Sequence, residues 1–174
     1  MAPKKTGASL NRGGSKQTRR TPRIFLDACE ARFGKITFDL AAHSRNCVVP
    51  RFFSKKQDSL RQNWSKLAGE VCWLNPPFAD IPSWAKKCAL TVAATPGLKI
   101  LFLVPASVGS EWFYHHVYAQ ALVLPLRQRI VFVGETHGFP KDLMLIAYGV
   151  GETGFQPWRW KQPWVRPALE LAAE

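Results

Sequence analysis

Residues 70–84 read EVCWLNPPFADIPSW, and this stretch decides the fold class. Its apolar run EVCWL has the composition of a buried strand. Pro76 and Pro77 fix φ and donate no backbone hydrogen bond, so they stop the strand and hold the next residues in one extended shape. A helix is predicted from about Pro82 to Ala94. The stretch therefore predicts a strand, a stiff turn and a helix, which are the parts that repeat in an α/β sheet.

The rest of the chain continues this alternation. TPRIFLDACEARFG predicts a helix with Thr21 as its N-cap and Pro22 at its first position. KITFDLAA predicts a short strand that ends at Asp39, LKILFLVP predicts a strand buried on both faces, and Ser110 is expected to cap a helix near EWFYHHVYAQ. ALVLPL, RIVFV and DLMLIAYG predict three closing strands, and residues 43–64 are expected to be mostly loop. The order of these elements predicts a doubly wound α/β domain.

The charge is concentrated at the N-terminus of a chain whose formal net charge is +12. Residues 1–20 contain no acidic residue, and their cations are Lys4, Lys5, Arg12, Lys16, Arg19 and Arg20. We expect this segment to be a disordered basic tail whose cations bind the phosphates of DNA, although a solubilising tail has the same composition. Residues 21–174 are expected to form a single domain.

Composition argues against several classes of protein. No apolar run approaches the roughly 18 residues that cross a bilayer, and no apolar stretch follows Lys4 and Lys5, so we expect an intracellular protein without a membrane partner. The four cysteines form no C-x-x-C pair and predict reduced core side chains. The four histidines show no metal-ligand spacing, so no metal is predicted.

Asp39 and the Asn-Pro-Pro-Phe turn both lie at the carboxyl ends of predicted strands. Ligands of doubly wound sheets bind outside the carboxyl ends of the strands. We therefore expect Asp39 and Asn75 to share one edge of the sheet.

The Asn-Pro-Pro-Phe sequence suits the activation of an aromatic amine. In such an amine, for example N6 of adenine, the nitrogen lone pair is delocalised into the ring, and two hydrogen-bond acceptors make the nitrogen more nucleophilic. The Asn75 side-chain oxygen and the Pro76 carbonyl supply two acceptors, while Pro77 keeps that carbonyl in place. Phe78 offers a flat surface on which a base can stack. A plain structural turn remains the alternative for this motif.

The motif is part of a longer resemblance. The ordered runs TPRIFLDACEARFGKITFDLAA, PRFFSKKQDSLRQNW, VCWLNPPF with WAKKCA, LVPAS, and RIVFV with FPKDLMLIAYG resemble the phage-type DNA N6-adenine methyltransferases of the Dam family over nearly all of residues 20–149. The resemblance implies a Rossmann-like S-adenosylmethionine-dependent methyltransferase fold, with a mixed, mostly parallel sheet and helices on both faces. It also implies S-adenosylmethionine as cofactor, adenine N6 in DNA as acceptor, and a phage or prophage protein in the cytoplasm of a bacterial host.

The resemblance also implies roles for individual residues. The catalytic residues would be Asn75, Pro76, Pro77 and Phe78. Thr21 and Pro22 would border the methionine end of the cofactor, Asp39 and the small Ala41 would lie beside it, and Asp58 would lie near its adenine or near the target amine.

Two other functions remain open from the residues. No Gly-x-Gly turn follows Asp39, so a non-catalytic DNA-binding protein with this fold is one alternative. A protein glutamine methyltransferase is the other, because a side-chain amide suits the same motif, but the positive charge favours nucleic acid. The sequence indicates no particular oligomeric state or target sequence.

The C-terminal run GFQPWRWKQPWVRP alternates aromatic and basic residues, including Trp158, Trp160 and Trp164. Such alternation suits stacking on bases and contact with phosphates. Packing of the tryptophans onto the domain is the alternative interpretation, and we favour it.

Overall fold

The structure is a computed structural model that describes residues 19–162. Several residues of the predicted basic tail and of the C-terminal aromatic run lie outside the described residues: Lys4, Lys5, Arg12, Lys16 and Trp164. The α-helices are α1 (Arg23–Phe33), α2 (Ile81–Ala94) and α3 (Glu111–His116). The strands are β1 (Ile36–Ala42), β2 (Phe52–Ser54), β3 (Val71–Leu74), β4 (Lys99–Pro105), β5 (Leu122–Pro125), β6 (Leu143–Tyr148) and β7 (Gly154–Phe155).

The strands form one seven-stranded sheet in the order β2-β1-β3-β4-β6-β5-β7. β1 pairs in parallel with β2 and β3, and β3 pairs in parallel with β4. β6 is antiparallel to both of its neighbours, β4 and β5, while β7 is parallel to β5. The predicted mixed, mostly parallel sheet is therefore confirmed.

Helices cover both faces of this sheet. Alternate residues of β4 face opposite sides, so Phe102 packs in one core cluster and Leu103 in the other. The first cluster includes Cys88 of α2 and Phe113 of α3, and the second includes Phe25 of α1. Each face of the sheet is thus buried, which explains the continuous apolar run of β4.

The stretch that follows β3 folds as its sequence predicts. The chain leaves the strand at half-buried Asn75 and makes a short 3₁₀ helix, Phe78–Asp80, after the two prolines. The Asp80 side chain then accepts a hydrogen bond from the Ser83 N–H at 3.4 Å and caps α2. The predicted strand, turn and helix are all present.

The start of α1 differs from the prediction by one residue. The Pro22 carbonyl accepts the first helical hydrogen bonds, from Phe25 N at 3.0 Å and from Leu26 N at 3.3 Å. Pro22 is therefore the N-cap, and the prediction that Thr21 caps the helix is wrong. The Thr21 side chain is buried and turns towards β3 instead.

One prediction for residues 36–64 is wrong, and a second misses four short elements within a segment that is mostly loop. β1 does not end at Asp39 but continues to Ala42, with a register shift between these residues where it pairs with β2. The predicted loop contains β2 and three 3₁₀ helices: Lys55–Gln57, Ser59–Arg61 and Trp64–Leu67. These short helices follow no long apolar period, which is why the sequence pattern does not reveal them.

Residues 129–133, RIVFV, are not a strand. Ile130 and Phe132 fill the core on the α1 side, which accounts for their apolar alternation. In the sheet, however, β6 lies on one edge of β5 and β7 on the other, so this segment has no edge of β5 on which to pair. In this segment, a loop that fills the core shows the same alternation of buried and exposed apolar residues as a half-buried strand.

Near the other end of the sheet, α3 is shorter than predicted. Ser110 occupies its N-cap position, but the Ser110 hydroxyl donates to the Ser107 carbonyl at 2.7 Å and does not cap the helix.

Trp158 and Trp160 belong to the core. They are 3% and 4% exposed, and their rings lie 5.8 Å and 5.1 Å from the ring of Phe25 in α1. The Trp160 indole N–H also donates to the Gln128 carbonyl at 2.8 Å. The packing interpretation is therefore confirmed for both tryptophans.

Candidate active site

A cleft of about 340 Å³ opens beside the ends of β1 and β3, a size within the range of small-molecule sites. These two strands are parallel neighbours, so their carboxyl ends meet at one edge of the sheet. The residues that line the cleft are Ala41, Ala42, His43, Asn46, Phe53, Ser54, Lys55, Asp58, Ser59, Asn75, Pro77 and Trp84. Four predicted site residues, Ala41, Asp58, Asn75 and Pro77, thus share one concave surface.

A second, much smaller cleft adjoins the first. Both are lined by Ala41, Asn46 and Asn75. The other residues that line the smaller cleft are Arg19, Thr21, Asp39, Val48 and Trp73. Thr21 and Asp39 therefore share the surface of the smaller cleft with Asn75.

Asn75 has a defined orientation. Its Nδ2 donates to the hydroxyl oxygen of buried Thr21 at 3.4 Å. One face of the amide is thereby held against the N-terminal end of α1. Within residues 19–162 the Oδ1 atom accepts no hydrogen bond, so it can accept one from a ligand.

The other residues of the motif differ in exposure. Pro76 is buried, while Pro77 is exposed and lines the main cleft. Phe78 is half-buried, and its ring meets Phe139 edge to face, with 6.1 Å between ring centroids and 75° between planes. Phe78 does not line the main cleft, so it belongs to the flank of the site that faces residues 126–142.

Asp39 is buried and holds the loop that closes the smaller cleft. Its carboxylate accepts hydrogen bonds from the Ala41 N–H at 3.2 Å and from the Val48 N–H at 3.1 Å. Burial raises the pKa of Asp39 to about 6, against the opposing effect of the hydrogen bonds from Val48 and Ala41. Asp39 thus fixes the backbone on both sides of residues 43–47.

Small side chains end β1, at the position where the nucleotide-binding sheets of some other proteins are followed by a glycine turn. Ala41 and Ala42 both line the main cleft. Their methyl groups leave room for a ligand to approach the end of β1 closely, as glycine does in those turns.

Asp58 lies in the main cleft on a constrained backbone. Its φ of 49° is in the left-handed region, which Asp tolerates better than most residues, between two 3₁₀ helices. Its exposed carboxylate pairs with Arg61 at 3.1 Å. The backbone conformation thus directs a carboxylate to the rim of the cleft.

Sequence reasoning missed several residues of the cleft. These are His43, Asn46, Phe53, Ser54, Lys55, Ser59 and Trp84. The run SKKQDS, which contains Ser54, Lys55 and Ser59, carries no signal of a site other than its likeness to the family. The Ser59 hydroxyl is buried and makes no hydrogen bond within residues 19–162, so it is an unsatisfied polar atom at the wall of the cleft.

Arg19 and Arg20 are the residues of the predicted tail that the structure describes. Arg19 pairs with Glu135 at 3.2 Å and lies 5.7 Å from the ring centroid of Phe139. The Arg20 carbonyl accepts a hydrogen bond from the Val133 N–H at 3.0 Å, and its side chain is exposed. Both residues contact the loop between β5 and β6.

Residues 19–162 offer no metal site beside the clefts. This part of the chain contains no group of three or more His, Cys, Asp or Glu side chains placed to hold a metal ion. The four cysteines, all within it, are free thiols. None of its helices is long and apolar enough to cross a membrane.

Comparison with known proteins identifies the family of this chain. The family model for DNA N-6-adenine-methyltransferase (Dam) matches residues 11–143, which is well over half of the chain. The chain is 32% identical over 93 residues to a DNA N-6-adenine-methyltransferase of Escherichia phage T1, which covers 53% of this chain and 37% of that protein. It is 25% identical over 109 residues to one of Haemophilus phage HP1, which covers 62% of this chain and 61% of that protein. The chain thus spans less than two thirds of the length of each of these relatives. Because the family model matches well over half of the chain, the chain belongs to the DNA N-6-adenine-methyltransferase (Dam) family.

Proposed function

We propose that the protein transfers a methyl group from S-adenosylmethionine to the N6 amine of adenine in DNA. The observation that carries the proposal is the position of Asn75. Its amide is held by Thr21 at the edge of a cleft of about 340 Å³, with an oxygen left to accept a hydrogen bond. Membership of the Dam family and the names of the two phage relatives support the same reaction.

The fold that we propose is the Rossmann-like fold of S-adenosylmethionine-dependent methyltransferases. Its support is a mostly parallel sheet with helices on both faces and a cleft at the carboxyl ends of β1 and β3. Sites at this edge are the general rule for open α/β sheets.

The main cleft fits the proposed methyl donor. Phe53 and Trp84 give it aromatic walls that suit an adenine ring, and Ala41 leaves room for close approach. Asp58 and the unsatisfied Ser59 hydroxyl offer polar partners for ribose hydroxyls. When bound there, S-adenosylmethionine supplies a methyl group that a nitrogen nucleophile can attack.

The chain itself activates the acceptor. Asn75 Oδ1 and the Pro76 carbonyl each accept one hydrogen of the adenine amine, which draws the nitrogen lone pair out of conjugation with the ring. Pro77 restricts the orientation of that carbonyl, because a proline narrows the ψ range of the residue before it. The exposed part of the Phe78 ring gives the base a surface to stack on.

Thr21 and Asp39 act on the site through other residues. Thr21 orients the Asn75 amide, and Asp39 holds the backbone at Ala41 and Val48, which both line the smaller cleft. In this proposal they position the site, and Pro22 anchors the start of α1 beside it.

DNA is the proposed partner. The net charge of +12 favours a polyanion, and the cations of residues 1–20 would contact phosphates without reading bases, except for Arg19, which pairs with Glu135. We extend the proposal to residues 1–20 as a basic tail and residues 21–174 as one domain. The phage origin of the relatives supports a phage or prophage protein that acts in the cytoplasm of a bacterial host.

The test combines a reaction with a binding measurement. Full-length protein is incubated with unmethylated genomic DNA and S-adenosylmethionine, the DNA is digested to nucleosides, and N6-methyladenine is measured by mass spectrometry. Calorimetry with S-adenosylmethionine measures donor binding separately. Asn75→Ala is expected to lower kcat by roughly 100-fold or more, about 3–4 kcal/mol of barrier, while donor affinity stays near that of the wild type.

Gln120→Ala is the control, because Gln120 is an exposed amide in the turn after α3 and lines neither cleft. Near wild-type turnover of Asn75→Ala would refute the catalytic role of the motif. Donor binding without any N6-methyladenine in the wild type would refute the reaction.

A further inference from the structure

A tight turn projects from the loop between β5 and β6. Its four residues, 132–135, are closed by a hydrogen bond from the Glu135 N–H to the Phe132 carbonyl at 3.0 Å. Gly134 has a φ of 84°, as the third position of a type II turn requires. Val133, at the second position, is 56% exposed.

The turn is firmly anchored although its tip is exposed. Phe132 is buried in the core, and the Phe139 N–H donates to the Ile130 carbonyl at 2.9 Å across the base of the loop. The Val133 N–H donates to the Arg20 carbonyl, and Glu135 pairs with Arg19. An apolar side chain is therefore presented to solvent on a backbone with little freedom to move.

This turn lies beside the catalytic motif. Phe139 contacts both Phe132 of the turn, at 5.8 Å between ring centroids, and Phe78 of the motif, at 6.1 Å. Residue 20 bonds to the turn, and residue 21, next along the chain, bonds to Asn75. The turn is thus connected to the motif by two separate sets of contacts.

The segments that lead to the turn carry more exposed cations than anions. Arg20, Arg127, Arg129 and Lys141 are exposed, while the acidic residues Glu135 and Asp142 pair with Arg19 and Arg129. The basic segment of residues 1–18 joins the described structure at Arg19, which bonds to the turn. An apolar tip whose one acidic residue, Glu135, is paired with Arg19, on segments with an excess of cations, suits a base stack between two phosphate backbones.

We propose that the turn 132–135 enters duplex DNA beside the target adenine, with Val133 filling the space that this base leaves in the stack. This rests on the proposed function, in that DNA is the substrate. A base inside a duplex has its N6 amine in a base pair, so it must leave the stack before Asn75 can reach it. An apolar side chain that enters the gap offsets part of the cost of unstacking.

The first experiment compares duplex and single-stranded substrates. Methylation of native and heat-denatured unmethylated genomic DNA is measured for wild type, Val133→Ala and Leu90→Ala. Leu90 is the matched control, because it is 61% exposed on α2, among residues that line neither cleft of the site. Val133→Ala is expected to lower kcat/KM on native DNA by about tenfold and to leave the rate on denatured DNA unchanged, since a single-stranded base has no stack to leave.

The second experiment needs no methyl transfer. Permanganate oxidises thymines that have lost stacking, so a thymine whose partner adenine leaves the duplex becomes reactive. Wild-type protein bound to native DNA without S-adenosylmethionine is expected to increase thymine oxidation, Leu90→Ala to do the same, and Val133→Ala to lose most of the increase.

Thymine oxidation and methylation test the role of the turn and the proposed reaction separately. If thymine oxidation depends on Val133 but no DNA is methylated, the turn proposal stands and the proposed reaction fails. If the wild type opens no thymines, if Val133→Ala opens them as well as the wild type, or if that variant loses equal activity on native and denatured DNA, the turn proposal is overturned.

Discussion

Thr21 Oγ1 accepts a hydrogen bond from Asn75 Nδ2 at 3.4 Å, which joins residues 54 positions apart in the chain. Thr21 immediately precedes the N-cap of α1, and Asn75 immediately follows β3. The orientation of the proposed catalytic amide is therefore set by the packing of a helix start against a strand end.

Removal of the Thr21 hydroxyl should slow the reaction without weakening donor binding. Thr21→Val keeps the shape of the side chain but leaves Asn75 Nδ2 without its acceptor. We expect kcat to fall roughly five- to tenfold, the scale of one hydrogen bond, with donor affinity unchanged. Thr21→Ser keeps the hydroxyl and should retain most of the activity. Equal activity of the Val and Ser variants would show that this bond does not orient the amide.

The stability of the protein should depend on the ionisation of Asp39. Burial raises the pKa of Asp39 from 3.8 to about 6, so the folded state holds this proton more tightly than the unfolded state. The stabilisation from the protonated acid is complete below about pH 4 and is lost as the pH rises through 6, at a cost of about 3 kcal/mol.

Asp39→Asn has no carboxyl group to titrate at this position. The difference in stability between the wild type and the variant therefore reports the pH dependence due to Asp39 alone. Urea unfolding of both proteins from pH 4 to pH 7 should show wild-type stability falling relative to the variant over this interval. A constant difference between the two curves would contradict the raised pKa.

Lys87 should hold the far wall of the main cleft. Its Nζ donates to the carbonyls of Leu60 and Gln62, each at 2.7 Å, and lies 4.8 Å from the ring centroid of Trp64. Loss of these hydrogen bonds in Lys87→Met should lower the free energy of unfolding by about 1–3 kcal/mol. Because Leu60 and Gln62 follow Ser59 of the cleft in the chain, the variant should also bind the donor several-fold more weakly. Lys86→Met is the control, because Lys86 is the neighbouring exposed lysine on α2. Equal donor affinity in the two variants would show that Lys87 does not contribute to donor binding.

The basic N-terminal segment should add affinity for DNA without sequence preference. Deletion of residues 2–18 removes Lys4, Lys5, Arg12 and Lys16 but keeps the Arg19 ion pair with Glu135. For duplex DNA, the slope of log affinity against log salt should fall by about 0.9 for each phosphate that no longer binds a cation of the protein. Turnover at saturating DNA should be nearly unchanged.

A full-length variant with these four residues changed to Gln distinguishes charge from length. It should show the same reduced slope as the deletion. Slopes equal to that of the wild type in both proteins would mean that the segment only increases solubility.

The sequence by itself determined the central strand, turn and helix of this protein, because their determinants are local. β3 ends where two prolines cannot continue a strand, and Asp80 caps the helix that begins directly after it. β4 and β6 were equally predictable, since strands buried on both faces have continuous apolar runs. The position of Asn75 at the carboxyl edge of the sheet follows from this order of elements.

The alternation of apolar residues did not predict the structure of residues 129–133, because a half-buried strand and a core-filling loop can share this pattern. Ile130 and Phe132 are buried, and Val131 and Val133 are exposed, as in a half-buried strand. Whether such a segment becomes a strand depends on a free sheet edge, and β7, distant in sequence, pairs with that edge of β5. Because this segment pairs with no strand, it forms a loop that contains the exposed turn at Val133.

Only the tertiary structure decided which side chains face one another at the site. Asp39 was predicted at a strand end, but β1 continues past it, and its carboxylate turns to the Ala41 and Val48 N–H groups because buried acceptors must be satisfied. Thr21 was predicted to cap a helix, yet its hydroxyl bonds to Asn75, and no sequence pattern specifies a contact between residues so far apart. Such contacts form only when the whole sheet and its helices pack, since packing brings distant segments together.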